Sequence, residues 1–413
     1  MKVVIIGAGI GGLTAAIALK KAGHDVDIYE SSGFLNEIGA AVGLGPNATR
    51  VLQRLGCDMK QLHAVERTGM RYYVNGKLET FQGIENRTEP KPANAQPSDM
   101  LMAHRVDLHH ELQRFARETG VNIHLRSRTA SVDAKAGEAH LVDGTVIKGD
   151  VIIGADGLHS RAVEAVVPNG GDIVDMGLNC FRFLVPTEKA KSNPIVAEYL
   201  EGAESSIIID ALPDRRFLFY PCRDGTLLNC AAFYPSAEPD EKTEGESWNN
   251  EGDVRRLLGH FQGCCPAVKE ICKMAEDLKM YSLETRDPPK TFVRGKLAVL
   301  GDAAHPMLPH RGQGAGQAIE DAGALGEIFS GPDATPENVG KLLDLYNRVR
   351  YEHSVTAALL SRFYFATHSE ETKALFKQFL PDTQIPENEF AFLWKSDPIK
   401  DVQRLRAEGV AAA

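Results

Sequence analysis

The chain opens on Val3-Val4-Ile5-Ile6, a β-branched run with no polar position in it. Such a run marks a strand buried on both faces of a parallel sheet. Glycines follow, then an apolar stretch from about Gly11 to Lys21 that reads as a helix, closed by Gly23. Val26 to Glu30 is the second strand, which makes the opening a βαβ unit. Pro46 suits a first helical turn and predicts a helix over Asn47–Leu55. A helix at about Val106–Thr119 is followed by strands near Asn122–Arg126 and Glu138–Leu141. Asp150–Gly154 then repeats the buried parallel pattern.

From 172 to 290 the pattern changes. Cys180–Val185, Ser206–Ala211, Phe217–Tyr220 and Leu227–Phe233 are short strands separated by turn residues such as Pro213-Asp214 and Asp224-Gly225. That spacing predicts an antiparallel sheet. Met70–Tyr73, inside an insertion over about 67–100, is strand-like as well, and Ser236–Asn250 reads as a polar surface loop. Lys296–Leu300 returns to the parallel pattern, and helices dominate from Gln317 onward, with a long one near Val339–Phe365. The expected class is α/β. A Rossmann-type parallel sheet (1–171, continued in 291–340) is joined by an antiparallel-sheet domain (172–290, with the 67–100 insertion) and a C-terminal helical region (341–413).

Composition narrows the picture. The 413 residues are 43% hydrophobic and 25% charged, the mixture of a folded globular chain large enough to enclose a cofactor. A formal charge of −10 with no basic block makes nucleic acid a poor partner. Seven cysteines without paired CxxC spacing argue against a disulfide framework or a zinc site. Cys264-Cys265 could be a redox pair, but free cysteine is common as a small core residue. Val3–Leu19 is apolar, yet its glycines, and the lack of a basic region or cleavage site, set it apart from a signal peptide. No stretch approaches the ~20 apolar residues of a membrane span. The expectation is a cytoplasmic protein, for which a homodimer is the common outcome.

Three motifs carry chemistry. Gly7-Ala8-Gly9-Ile10-Gly11-Gly12 matches GxGxxG between strand and helix. Gly7 permits the turn, Gly9 lets the backbone approach a pyrophosphate, and Gly12 lets helix and strand pack closely. The helix N-terminus offers free N–H groups and a positive dipole end to phosphate. Glu30, 18 residues after Gly12, can bind ribose hydroxyls and would repel a 2′-phosphate. FAD and NAD are not distinguished by this motif. The second motif, Gly301-Asp302-Ala303-Ala304-His305-Pro306, places an aspartate at the end of a parallel strand, where it can accept hydrogen bonds from a polyol such as ribitol. Eleven residues on, Gly312-Gln313-Gly314-Ala315-Gly316 opens another bare helix N-terminus suited to negative charge. The third runs from Asp150 through Gly154-Ala155-Asp156-Gly157 to Ser160-Arg161.

In this order and at this separation, the three segments resemble the single-component FAD-dependent aromatic hydroxylases, the class A flavoprotein monooxygenases, nearest their salicylate hydroxylase-like branch. The match spans roughly 1–350. It implies a para-hydroxybenzoate hydroxylase-like fold, FAD as cofactor, and NADH or NADPH and dioxygen as co-substrates. Oxygen would reach a small phenolic or salicylate-like aromatic through a flavin hydroperoxide. A single GxGxxG fits a nicotinamide donor that visits without its own Rossmann domain. By the same resemblance Asp156-Gly157 supports the flavin and the nicotinamide donor, and Asp302 holds the ribitol. Arg105 contacts the flavin chain or its phosphates, Gly43 lies beside the flavin, and Gly314 and Ala315 lie under its ring.

In the antiparallel region, Arg182 could anchor and ionise a phenol, with Tyr220 beside it, as in related phenol hydroxylases. The alternative for each is a sheet residue whose polar end reaches solvent. His305 and His310 flank the expected ring site without a readable partner, and packing or exposure accounts for them as well. Many relatives read Pro-Phe-x-x-Gln-Gly where this chain has Pro309-His310-Arg311-Gly312-Gln313-Gly314, which puts salicylate itself in question. The competing readings are an epoxidase acting on an alkene or indole, an FAD oxidase, and a flavin-binding regulator without turnover.

Overall fold

The computed structural model describes residues 1–33, 40–83, 100–167, 171–236, 253–363 and 368–409. Most of the expected loop at 236–250 and the later part of the 67–100 insertion lie outside them. Six short segments from distant parts of the chain, most of them β-branched or apolar, meet in one sheet. Its order is Val293–Arg294, Leu297–Val299, Val151–Gly154, Lys2–Ile6, Asp25–Tyr29, Asn122–His124. All neighbours run parallel except the short edge strand Val293–Arg294. The strands are short and covered on both faces, so their ends carry the loops that follow each: 7–9, 30–33, 155–161 and 301–313. Helices Ile10–Lys21 and Gly314–Ile328 pack on each other closely, because a Cβ added at Gly326 would lie 2.7 Å from Cβ of Ala18.

The second sheet has seven strands, in the order Glu276–Arg286, Ile173–Pro186, Leu227–Pro235, Arg216–Cys222, Ser206–Ala211, Gly69–Val74, Lys77–Gly83. It differs from expectation in two ways. Ser206–Ala211 and Gly69–Val74 pair parallel, since the chain reaches them from separate segments rather than through a hairpin. The strand Glu276–Arg286, unread in the sequence, flanks Ile173–Pro186 along an interrupted register with shifts at Asp175/Asn179 and Arg182/Leu184. Its charged ends and the left-handed Asp277 (φ 49°) blur the alternation that would have revealed it.

Alternation gives this sheet two faces. Phe181, Phe183, Phe217, Phe219, Cys230 and Tyr234 point to one side, into a core shared with Leu257, Phe261, Val268 and Ile271. Those partners come from helix Val254–His260, the turn after it, and helix Pro266–Lys273. Each such phenylalanine contributes roughly 1.5–3 kcal/mol by leaving water. The intervening residues must then face the other way. Arg182 stands opposite Ala231, Ala231 opposite Leu218, Leu218 opposite Ile209, and Ile209 opposite Tyr72. One pleat along, Asn229 stands opposite Tyr220. This face looks toward the loops of the parallel sheet.

All seven cysteines are free. No helix among the described residues is long and apolar enough to cross a membrane.

Candidate active site

A cavity of about 850 Å³ lies between the second face of the seven-stranded sheet and the loops of the parallel sheet. Its wall includes Gly9, Gly43, Arg105, Gly157, Asp302, Gly314 and Ala315 on one side, and Arg182 and Tyr220 on the other. Residues spread over more than 300 positions of sequence thus share one space. Gly7, Gly12, Glu30 and Asp156 shape the surrounding loops and are not part of the lining.

The three motif glycines have distinct constraints. Gly7 adopts φ +100°, and a Cβ there would sit 2.4 Å from the Ala155 carbonyl oxygen. At Gly12 a Cβ would come within 2.1 Å of the Gly7 oxygen, so any side chain would part strand from helix. Gly9 has nothing within 4 Å of that position and leaves its backbone open to the cavity. The helix Ile10–Lys21 carries no side-chain cap, so its first N–H groups remain available for an anion. Glu30 is fixed by the Ala8 N–H at 2.8 Å and the Ser32 N–H at 2.7 Å.

Behind this loop stands a residue that belongs to none of the three motifs. His109 Nε2 meets the Ala8 carbonyl at 2.8 Å, which can only accept, so that nitrogen carries the hydrogen. Its Nδ1 then accepts from the Gln113 amide at 2.6 Å. The helix that starts with Arg105 is in this way tied to the glycine loop.

The structure turns the Asp156 carboxylate into its own loop. It accepts from Ser160 Oγ at 2.6 Å and from the N–H groups of Arg161 and Ala162 at 2.7 and 3.2 Å. Burial pushes its pKa up against these bonds. Asp156 is accordingly a shaper of the turn, while Gly157, at φ +79°, presents backbone to the cavity. Arg286, also missed, joins this turn to the Asp302 loop: it donates to the Leu158 carbonyl and, at 3.2 Å, to the Ala303 carbonyl. Burial lowers its pKa, with the nearby charge of Asp156 opposing.

His305 does not face the cavity. Its Nε2 pairs with Asp321 at 2.7 Å, and Asp321 also receives the Gly301 N–H at 3.0 Å and Arg350 Nε at 2.8 Å. Burial alone would raise the Asp321 pKa, but His305 and Arg350 outweigh it and hold the carboxyl below its ordinary range. His305 therefore belongs to a buried ion-pair network under the Gly301 turn. His310 does line the cavity, and it too has a partner, the Ser361 carbonyl at 2.9 Å. Burial, with Arg216 and Arg311 nearby, lowers its pKa to about 3 and keeps it neutral.

On the sheet face, Tyr220 donates to the Ala41 carbonyl at 3.1 Å, and Asn229 Oδ1 accepts from the Ala41 N–H at 3.0 Å. The strand Ala41–Leu44, which bears Gly43, is gripped at both polar atoms of one residue. A Cβ at Gly43 would meet the Met100 side-chain tip, Cε at 1.8 Å, so a larger residue there would displace that methionine. Arg182 lies over the Tyr281 ring, 5.6 Å from its centroid, and its Nε is sealed from solvent without a hydrogen-bond partner. No carboxylate pairs with Arg182 among the described residues. Tyr281, on the unread strand, also lines the cavity.

The FAD binding domain family model matches residues 1–358. The chain belongs to the FAD-dependent monooxygenases. It is 33% identical to the FAD-dependent monooxygenase cfoG of Aspergillus candidus, over 94% of this chain and 90% of that protein. It is 32% identical to hispidin-3-hydroxylase of Neonothopanus nambi, over 86% of each. A salicylate hydroxylase solved as a substrate complex shares the fold with a TM-score of 0.75 and 23% identity, covering 98% of this monooxygenase and 97% of that chain. The expected family, its para-hydroxybenzoate hydroxylase-like fold and FAD as the cofactor are all borne out. The monooxygenase also has the features FAD needs: open backbone at Gly9, bare N-termini at Ile10 and Gly314, and Asp302 bordering the cavity between them.

Proposed function

We propose that this monooxygenase hydroxylates an aromatic ring bearing a phenolic or carboxylate group, using NADH or NADPH and dioxygen. The observation that carries the proposal is Arg182, a guanidinium without a carboxylate partner among the described residues, on the cavity face opposite the flavin loops. Leaving a cation there costs desolvation, which an anionic ligand would offset. An alkene would leave that charge unanswered.

In this reading Gly9 and the helix start at Ile10 receive the pyrophosphate, Glu30 the ribose, and Asp302 the ribitol. Arg105 would support the phosphates or chain, Gly43 and Gly157 would lie beside the flavin, and the N–H groups at Gly314 and Ala315 would offer donors to its negative charge. Gly7, Gly12 and Asp156 hold the loops in shape. Bound there, FAD supplies the two-electron chemistry by which dioxygen is activated. The chain's part is to orient the substrate and exclude water. Arg182 anchors the substrate oxyanion or carboxylate. Because Tyr220 spends its hydrogen on Ala41, its oxygen is left to accept a substrate O–H. Burial pushes the Tyr220 phenol up, against the pull of Arg182, so it stays neutral near pH 7. Residues 1–171 and 291–340 then serve the cofactor, 67–100 and 172–290 the substrate, and 341–413 brace both.

The test is turnover under isotopically labelled dioxygen with phenolic acids. One labelled atom in the product is expected; product oxygen drawn from water would overturn the reading.

A further inference from the structure

The helix Glu389–Lys395 and the turn after it are fastened to the FAD-binding side of the cavity at several points. Arg50 donates to the carbonyls of Trp394 and Ser396, both at 2.6 Å, and Arg54 forks onto Asp397 at 2.5 and 2.7 Å. Arg67, from the opposite wall, stacks on the Trp394 ring at 5.0 Å. At its first turn Glu389 accepts from Arg311 Nε at 2.5 Å, with both side chains largely buried. This ion pair accounts for Arg311, whose place in the loop before Gly312 departs from the pattern of many relatives. The following residue, Phe390, lines the cavity yet is 42% exposed, with its ring 5.2 Å from that of Trp394.

A single exposed phenylalanine is ordinary. This one, however, is held at the cavity wall by a helix pinned on either side of it. On the sheet face the same cavity is lined by Met70, Tyr72, Ile207, Ile209 and Leu218, an apolar stretch apart from one tyrosine hydroxyl, while Arg67, Arg311 and Glu389 bring charge to the wall near Phe390. The sheet face of the space thus joins the Arg182 cation to an apolar stretch, and the cavity volume lies toward the upper part of the ~300–1,000 Å³ typical of ligand sites. We propose that Phe390 is a specificity-determining residue: it packs on an apolar or aromatic arm that the substrate carries beyond the ring anchored at Arg182. The inference rests on the reading of Arg182 given above.

The test uses the FAD-loaded protein with Trp248→Phe, which leaves Trp394 as the single tryptophan. A one-ring hydroxybenzoate and a hydroxystilbene of the same ring pattern are titrated, following the flavin spectrum and Trp394 emission. Both ligands should perturb the flavin, and the stilbene alone should alter Trp394 emission. Phe390→Ala should lower the stilbene-to-benzoate affinity ratio about tenfold, the low end for loss of a buried phenylalanine contact, and Phe390→Leu should keep most of it. An unchanged ratio in Phe390→Ala, with flavin perturbation intact, would overturn this inference alone. If neither ligand perturbs the flavin, the reading of Arg182 falls and the inference with it.

Discussion

Tyr220 donates its phenolic hydrogen to the carbonyl of Ala41 at 3.1 Å, so a residue of the substrate face holds the strand that carries Gly43. In the proposed reading, one side chain thereby links substrate contact to the flavin environment. Asn229, opposite Tyr220 in the sheet, secures the N–H of the same residue.

Removal of that hydroxyl tests the linkage. Tyr220→Phe should retain FAD but convert several-fold more of the consumed NAD(P)H into peroxide, because both the strand tether and the acceptor for the substrate hydroxyl are lost. Product formed per NAD(P)H is the measurement. An unchanged yield with every phenolic substrate would remove Tyr220 from the site.

Arg182 sets function against stability. Arg182→Met should weaken phenolic-acid binding by roughly 30-fold or more, the cost of losing a charge-assisted hydrogen bond of about 2–3 kcal/mol. The same change removes a half-buried cation without a carboxylate partner, so the melting temperature should stay level or rise. A fall in thermal stability with unchanged KM would assign Arg182 a structural role.

Flavin retention should depend on Asp302 directly and on Arg286 from behind. Asp302→Ala should purify largely colourless, having lost the acceptor for the ribitol. Arg286→Met frees the Leu158 and Ala303 carbonyls and so loosens two cofactor loops at once. Each orphaned buried carbonyl costs about 1–3 kcal/mol. Visible absorbance relative to protein reports both, and full occupancy in either variant contradicts the corresponding assignment.

Two buried histidines predict acid sensitivity. Burial lowers His310 to about 3 and His353 to about 4, from 6.5. Between pH 6.5 and about 4 the unfolded chain therefore binds protons that the folded chain refuses, so stability is full above 6.5 and declines as pH falls. Each contributes up to ~1.4 kcal/mol per pH unit. Denaturant unfolding at a series of pH values should show a shallower decline in His310→Gln/His353→Gln than in wild type. Parallel curves would place the acid sensitivity elsewhere.

Much of this was legible in the chain. Buried parallel strands announce themselves by β-branched runs, so Lys2–Ile6, Val151–Gly154 and Leu297–Val299 could be read with the glycine and aspartate motifs at their ends. Arg182 and Tyr220 could be singled out as a cation and a phenol in the antiparallel region, at positions that resemble the substrate-site arginine and tyrosine of related phenol hydroxylases. What could not be read depends on contacts between distant segments. Glu276–Arg286 hides its alternation behind bulges, and with it went Tyr281 and Arg286. His109 looks like any polar residue on an amphipathic helix until Ala8 is placed beside it. His305 gained its partner only when Asp321, 16 residues on, folded back beneath the Gly301 turn. The approach of Glu389 and Phe390 to the cavity has no local signal at all.

The central claim is that an aromatic anion, seated at Arg182, triggers use of NAD(P)H and dioxygen by the bound flavin. Its most direct test is NADH and NADPH oxidation by the yellow protein across a panel of phenolic acids, with oxygen uptake and peroxide followed in parallel. The account predicts that at least one phenol accelerates NAD(P)H loss while peroxide stays low. Oxidation that no aromatic compound stimulates, or flavin reduction by substrate without NAD(P)H, would contradict it.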